Sequence, residues 1–224
     1  MKLQITILVV IILAFIMLFV FTQRSSLSNI KSFVTEPTIS LPPDQFNAIP
    51  SPTPLSAQEQ AYLGQQALVQ QMQQETQAQA SLSALIKTSK GDIVIVLDRD
   101  TAPYSTANFW SKVKAGFYNG LTFHRIEDWV IQGGDPLGNG TGGGTAQTEL
   151  TSAPFSAGAV GYAASDAMEV GQGARISNDS QFFIVKVDSN HLNGKYAKFG
   201  QVTEGMDVVE SMQIGDKILG VTIQ

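Results

Sequence analysis

The sequence predicts a mainly β domain, a closed antiparallel barrel with capping helices, which follows an apolar N-terminal segment and a spacer. Residues 83–224 contain many short segments with strand-like patterns, glycine-rich turns separate them, and few helical patterns occur between them. The first eighty or so residues differ in composition, being first apolar, then rich in proline and finally rich in glutamine. We therefore predict one domain of ordinary size with N-terminal appendages.

The N-terminal segment has the length of a membrane span. Residues 3–22 form a run of twenty residues in which only three are polar. About 20 helical residues cross a hydrocarbon layer of roughly 30 Å. A cleaved signal peptide has a shorter apolar region and a small-x-small cleavage site, which residues 19–24 do not offer. We therefore predict an uncleaved transmembrane anchor over residues 1–22, in preference to a signal peptide or a buried core helix.

The orientation of this anchor follows from its short N-terminal tail. Lys2 lies on one side of the segment, and Arg24 and Lys31 lie on the other, so the distribution of positive charge is nearly balanced. Because the tail is very short and the domain follows, we prefer an inside N-terminus and an outside domain. The expected location is the cell membrane, as a single-pass protein with an extracytoplasmic domain.

A spacer in two parts follows the anchor. Residues 23–55 contain six prolines, which fix φ and donate no hydrogen bond, so an extended linker is predicted. Ser56 and Glu59 match a capping box, and residues 57–80 contain ten glutamines and no proline, which predicts a helix. Because its apolar positions form a ragged stripe, we favour a solvated stalk over residues 56–82 to a self-associating or partner-binding helix.

The domain, residues 83–224, begins with a hairpin. Residues 84–88 and 92–97 are strand-like and flank a turn at Gly91. A helix is predicted over residues 106–115, ending at Gly116. The remaining elements are strands at 121–125, 129–132, 159–163, 181–187, 197–202 and 217–223, with a short helix at 206–212.

Charge and composition exclude several classes of function. A net charge of −5 without a basic patch argues against nucleic acid as a partner. The chain has no cysteine, and its two histidines, His124 and His191, are more than sixty residues apart without a third ligand at recognisable spacing, so no metal site is predicted. The glycine-rich residues 138–144 lack the lysine and the helix that complete a phosphate loop, and no cofactor is expected.

The candidate site centres on Arg125 and Gln132. A hydrolase that uses His124 is an alternative class, although the chain has no Gly-x-Ser-x-Gly elbow. On a strand, His124 and Arg125 point to opposite faces, so His124 is expected to be structural. Gln181 and Phe183 share a face by the same rule. Polar and aromatic side chains that converge on a groove are typical of a peptide pocket.

Five motifs in a fixed order carry a resemblance to a known family. They are Phe-His-Arg-Ile at 123–126, Gln-Gly-Gly-Asp at 132–135, Gly-Thr-Gly-Gly at 140–143, Ser-Gln-Phe-Phe-Ile at 180–184 and His-Leu-Asn-Gly-Lys at the start of 191–200. Together with residues 114–121 they resemble the cyclophilin family of peptidyl-prolyl isomerases, in particular its bacterial members, over residues 83–224. The resemblance implies an eight-stranded antiparallel barrel capped by two helices and an enzyme that rotates X-Pro bonds in proline-containing polypeptides.

The resemblance also implies the roles of individual residues. Arg125 matches the catalytic arginine, and Gln132 matches the neighbouring substrate-binding amide. The residues that match the proline pocket are Trp129, Val130, Phe183, Leu192 and Tyr196.

The adjoining groove shows departures from the family pattern. Ala163 and Gln181 match groove residues, and Ala164 matches the position whose backbone holds the residue before proline. Ala164 replaces a frequent asparagine, and the segment 165–180 is longer than usual, which leaves open a proline-peptide binding module or chaperone with little turnover. His191 stands where cyclosporin-sensitive members have tryptophan, so weak cyclosporin binding is expected.

Overall fold

The computed structural model describes residues 54–169 and 175–224, with only the main chain described for 165–169. The helices are α1 (Ala57–Thr76), α2 (Pro103–Lys114) and α3 (Met206–Ser211), and a 3₁₀ turn spans Asn190–Leu192. The strands are β1 (Leu82–Thr88), β2 (Gly91–Leu97), β3 (Phe123–Glu127), β4 (Val130–Gly133), β5 (Thr145–Ala146), β6 (Ala159–Glu169), β7 (Arg175–Val185), β8 (Lys198–Glu204) and β9 (Ile218–Ile223).

The strands form one curled antiparallel sheet in the order β3-β4-β7-β6-β8-β2-β1-β9, and β5 pairs with β7. The segments that lead into its two end strands are joined by one bridge, between Thr122 and Lys217, and by main-chain hydrogen bonds between residues 120–123 and 215–218. A closed barrel requires its end strands to pair along their length with a fixed stagger, and among the described residues no pairing between β3 and β9 continues beyond these contacts. The mainly β antiparallel prediction is therefore confirmed. The prediction of a closed, eight-stranded barrel is wrong, because the described chain has nine strands and an open seam.

The predicted first hairpin is present, with β1 and β2 paired from Leu82–Leu97 to Thr88–Gly91. Alternate residues of both strands are buried, which is the period of two that places one face of a strand against a core. Gly91 has a φ of 141°, and a Cβ there would lie 2.9 Å from Val208 Cγ2. Glycine is therefore required at this turn by its conformation and by its close neighbour.

Helix α2 starts earlier than the sequence predicts and places Phe109 in the core. Pro103 occupies the first turn, where its missing N–H costs nothing. The carboxylate of Glu149 accepts a hydrogen bond from the Ser105 N–H at 3.0 Å, at the positive end of the helix dipole. The ring of Phe109 lies 5.3 Å from that of Phe199 and 5.9 Å from that of Phe182, so the helix covers one end of the main core.

Helix α1 packs against the domain. The predicted capping box is present, with Ser56 and Glu59 bonded in both directions. Met72 is fully buried in the main core cluster, and Leu68 and Val69 pack against it. The expectation of a solvated stalk is therefore wrong for this face. The three apolar residues make a stripe too short to stand out in the sequence, but it fits the surface beside α2.

The predicted anchor and most of the linker, residues 1–53, lie outside the described residues, so both stay predictions. Among residues 54–169 and 175–224, no helix combines the length and apolarity that crossing a bilayer needs.

Candidate active site

A cavity of about 590 Å³ lies beside strands β3, β4 and β7 and the 3₁₀ turn. The structure brings nearly all of the predicted site residues to its wall: Arg125, Trp129, Val130, Gln132, Ala163, Ala164, Phe183, His191, Leu192 and Tyr196. These residues come from sequence positions up to about seventy apart, so only the folded chain assembles them.

The register of three neighbouring strands explains how the central residues meet. Arg125 on β3 is paired with Gln132 on β4, and Gln132 is in turn paired with Phe183 on β7. Directly paired residues on neighbouring antiparallel strands lie side by side on the same face. A cation, an amide and an aromatic ring therefore form one row across the sheet.

The floor of the cavity is a small apolar cluster, separate from the main core. Val130, Phe183 and Leu192 are at most 5 % exposed and form this cluster with Phe155 behind them. Phe183 stacks on Phe155 with ring centres 5.6 Å apart, and Tyr196 meets Phe183 edge-on at 5.8 Å. We call this floor the apolar notch, and a pyrrolidine ring is the kind of small apolar group that such a surface holds.

Gln181 is the one predicted site residue that does not line this cavity. It lines the adjoining groove, of about 400 Å³, together with Gln132, Ala163 and Ala164. Its Oε1 accepts a hydrogen bond from Gln132 Nε2 at 2.9 Å, and its own Nε2 donates to the carbonyl of Gly142 at 2.7 Å. Gln181 therefore anchors Gln132 to the glycine-rich loop, and the predicted shared face of Gln181 and Phe183 is consistent with this placement.

Arg125 keeps its Nη2 group for a ligand. Its Nε donates to Glu127 Oε1 at 2.7 Å, and its Nη1 donates to Gln132 Oε1 at 3.1 Å. Within the part of the chain that the structure describes, its Nη2 has no hydrogen-bond partner. The side chain is 41 % exposed, so its ion pair with Glu127 is a surface pair and not an interior one. The hydrogen bond from Arg125 is the largest cause that holds the pKa of Glu127 below its usual range.

His124 lies on the cavity wall beside Arg125, so the expectation of opposite faces is wrong. The ladder between β3 and β4 shifts register between Phe123 and Arg125, and this irregularity breaks the alternation of side chains. Neither ring nitrogen of His124 has a hydrogen-bond partner among the described residues. Burial lowers the pKa of His124, with Asp135 acting in the opposite direction. A serine activated by His124 requires a hydrogen bond to it, so this geometry does not support a hydrolase.

Sequence reasoning missed two cations of the cavity wall, Arg175 and Lys195. The guanidinium of Arg175 lies 5.6 Å from the ring centre of Tyr196. Arg175 belongs to the long segment that the sequence marks only as an extension. The structure pairs its ends as β6 and β7, and this pairing places Arg175 beside the site. Lys195 lies inside the motif that starts at His191, so its place in that motif could have predicted that it lies at the site.

A curled antiparallel sheet with a cation, an amide and an apolar notch in one row defines a peptide-binding domain suited to proline. The comparisons with known proteins agree with this class. Residues 83–222 match the family model described as cyclophilin type peptidyl-prolyl cis-trans isomerase/CLD. The chain therefore belongs to the cyclophilin family of peptidyl-prolyl cis-trans isomerases, and isomerisation of X-Pro bonds is its enzymatic class.

Curated relatives carry the corresponding names. A peptidyl-prolyl cis-trans isomerase of Helicobacter pylori is 39% identical over 142 residues, which is 60% of this chain and 82% of the relative. Peptidyl-prolyl cis-trans isomerase B of Bacillus subtilis is 38% identical over 128 residues, 56% of this chain and 85% of the relative.

Solved structures show the same fold. A cyclophilin type peptidyl-prolyl cis-trans isomerase of Cryptosporidium parvum has a TM-score of 0.58 and 26% identity, over 64% of this chain and 98% of that one. The crystal structure of that protein in the presence of the dipeptide Ala-Pro has a TM-score of 0.57 and 26% identity, over 63% of this chain and 98% of that one.

Proposed function

We propose that this chain is a membrane-tethered prolyl isomerase that assists the folding of extracytoplasmic proteins, with Arg125 as its catalytic group. The observation that carries the catalytic assignment is the Nη2 group of Arg125. It has no hydrogen-bond partner among the described residues, and the side chain of Arg125 lines the cavity beside the apolar notch. The Cryptosporidium parvum structure obtained in the presence of Ala-Pro supports a proline-containing ligand for this cavity. The apolar run at residues 3–22 supports the membrane tether.

The chemistry consists of a bond rotation and needs no covalent intermediate. The barrier to rotation about a prolyl amide is roughly 18–20 kcal/mol because the C–N bond has partial double-bond character. Rotation becomes easier when the nitrogen lone pair leaves conjugation with the carbonyl. Arg125 donates a hydrogen bond to the carbonyl of the prolyl residue, and the positive charge of Arg125 favours the pyramidal nitrogen of the twisted state. A donor fixed before the reaction stabilises that state more than the planar one.

The other site residues hold the two sides of the rotating bond. The apolar notch of Val130, Phe183 and Leu192, with Trp129 at its edge, holds the pyrrolidine ring still. We assign Gln132 and the main chain of Ala164 to the carbonyl that swings. Arginine suits this role because its charge does not titrate in the physiological range.

Arg125→Ala tests the catalytic assignment. The expected result is a loss of about 10²–10³-fold in the catalysed rate, the usual cost of removing one preplaced donor. The measurement is exchange spectroscopy on an Ala-Pro peptide with the full-length protein in detergent micelles. Lys87→Ala, which removes an exposed cation from β1, is the control and keeps full activity. A folded Arg125→Ala protein with normal activity would reject the assignment.

The tether and its orientation have a separate test. Alkaline carbonate washing of membranes leaves an anchored protein in the pellet, and a protease added outside the cell digests the domain from residue 83 onward. Release by carbonate contradicts the anchor. Protection of the domain in intact cells contradicts the extracytoplasmic location, without affecting the assignment of Arg125.

A binding module with little turnover is the second candidate. It is favoured by Ala164, which offers no side-chain amide, and by the two hydrogen bonds that engage Arg125 within the chain. A proline peptide that shifts NMR signals of the cavity residues but shows no faster cis/trans exchange would establish this candidate in place of the enzyme.

A further inference from the structure

Glu127 makes two contacts that the mechanism above does not use. Its Oε1 accepts a hydrogen bond from Arg125 Nε at 2.7 Å, and its Oε2 accepts one from Trp129 Nε1 at 2.8 Å. One carboxylate therefore holds the proposed catalytic group and the aromatic edge of the apolar notch at the same time.

The short connection between β3 and β4 makes this double contact possible. Arg125 and Glu127 are two residues apart on β3, so their side chains leave the same face. Only Asp128 and Trp129 separate β3 from β4, and Glu127 is paired with Val130 across the turn. Trp129 therefore folds back within reach of the carboxylate.

The contact holds side chains that have few other restraints. Arg125 is 41 % exposed, and an exposed guanidinium on a flexible chain has many rotamers of similar energy. The Arg125 guanidinium lies 5.5 Å from the ring centre of Trp129, and the rings of Trp129 and His191 lie 5.2 Å apart in an edge-to-face arrangement. Fixing Trp129 therefore also fixes a surface on which the guanidinium rests.

We propose that Glu127 is a positioning residue that orients the guanidinium of Arg125 and the indole of Trp129 toward the bound proline. This inference rests on the proposed function of Arg125. Glu127 acts through these two side chains and does not itself touch the substrate.

Orientation, and not charge, is the effect that the geometry favours. Both partners of this pair are about two-fifths exposed, and ion pairs between exposed side chains are screened by water and contribute little. The carboxylate therefore changes the field of Arg125 only slightly. A displacement of about 1 Å in a reacting group, by contrast, costs up to about 10²-fold in rate.

Three substitutions distinguish the effect of the length of the Glu127 side chain from the effect of its charge. Glu127→Gln keeps the length of the side chain but has one acceptor oxygen and an NH2 donor, so it can accept from Arg125 or from Trp129 but cannot hold both as the carboxylate does, and we expect a fall of about 3-fold in kcat. Glu127→Asp keeps the charge but is one methylene too short to reach both donors, and we expect a fall of about 10-fold, as for Glu127→Ala. Asp128→Asn, which removes the neighbouring charge but neither hydrogen bond, is the matched control and is expected to be fully active.

A second readout follows Trp129 directly. With Trp110→Phe as background, Trp129 is the remaining tryptophan. Loss of the hydrogen bond to Glu127 in Glu127→Ala is expected to increase acrylamide quenching of its fluorescence and to shift its emission, with the melting temperature unchanged. A purely structural role of Glu127 would lower the melting temperature and leave kcat per folded molecule unchanged.

The outcomes are distinct. Glu127→Asp as active as the original protein would overturn the inference, because a carboxylate too short to reach both donors would then suffice. Higher activity in Glu127→Ala would also overturn it, since the carboxylate would then restrain Arg125. Full activity of Arg125→Ala would instead overturn the proposed function. Full activity of Glu127→Ala beside an inactive Arg125→Ala would remove only the role of Glu127.

Discussion

Two arginines in this domain have opposite surroundings. Arg99 lies where helix α1 meets the domain, and its Nη1 and Nη2 donate to the carbonyls of Thr76 and Gln79, both at 2.8 Å. Its side chain is 19 % exposed. Arg125 is 41 % exposed, and among the described residues its Nη2 makes no hydrogen bond.

The difference between the two regions shows how to tell a structural arginine from a candidate catalytic one. A guanidinium has five N–H donors in a rigid fork. When the fork is used on main-chain carbonyls, as at Arg99 beside the end of α1, it ties two parts of the chain together. When one arm stays unused beside an apolar notch, as at Arg125, it is available to a ligand. Exposure by itself would not separate these cases, because surface arginines are common.

The sharpest test of this contrast is Arg125→Lys. An ammonium group keeps the charge but lacks the planar fork that reaches Glu127, Gln132 and the notch together, so we expect a loss of about 100-fold in kcat/KM. The measurement is the exchange assay on an Ala-Pro peptide. Arg99→Lys is the matched control and is expected to keep its activity. If Arg125→Lys were nearly as active as the original protein, charge alone would suffice and the fork would be irrelevant.

Arg99→Ala is expected to have a smaller effect, and to lower stability but not activity. It leaves the carbonyls of Thr76 and Gln79 without their donors, and the free energy of unfolding should fall by about 2 kcal/mol. Urea unfolding of the full-length protein measures this, and hydrogen exchange should show less protection in α1. The isomerase rate per folded molecule should not change, and a large fall in that rate would break the distinction between the two regions.

The smallest expected effect concerns pH and His124. Burial lowers the pKa of His124 from its ordinary value of 6.5. As the pH falls through that ordinary value, the unfolded chain takes up a proton that the folded chain does not, so this group lowers stability in acid and has no effect above it. The rate is a separate matter. Because Arg125 keeps its charge throughout, we expect the isomerase rate to be flat between about pH 7 and 8.

His124→Gln provides the comparison for this effect. Its melting temperature should fall less between pH 7 and pH 5 than that of the original protein, because one source of acid destabilisation is gone. An equal fall in both proteins would mean that His124 does not contribute. A rate that rises or falls tenfold between pH 7 and 8 would indicate a titrating group in the reaction and would weaken the case for Arg125.

Local patterns predicted the elements well where side-chain burial alternates regularly. The hairpin of β1 and β2 was predicted within two residues at each end because one face of each strand is apolar. The predicted helix at 106–115 started three residues late. Pro103 in the first turn was a local signal for the earlier start, whereas the contact with Glu149, more than forty residues away, was not visible in the sequence. Strand β5 has only two residues and was missed, since so short a segment has no period to detect.

The sequence by itself determined the mainly β class, the capping box of α1 and the residues around Arg125, because these depend on local composition or on motifs in a fixed order. The tertiary structure decided the rest. The packing of α1 through Met72, the placement of His124 beside Arg125 and the double contact of Glu127 all depend on strand register and on surfaces that meet only after folding. A one-residue change of register moves a side chain to the other face, so no local pattern could have predicted them.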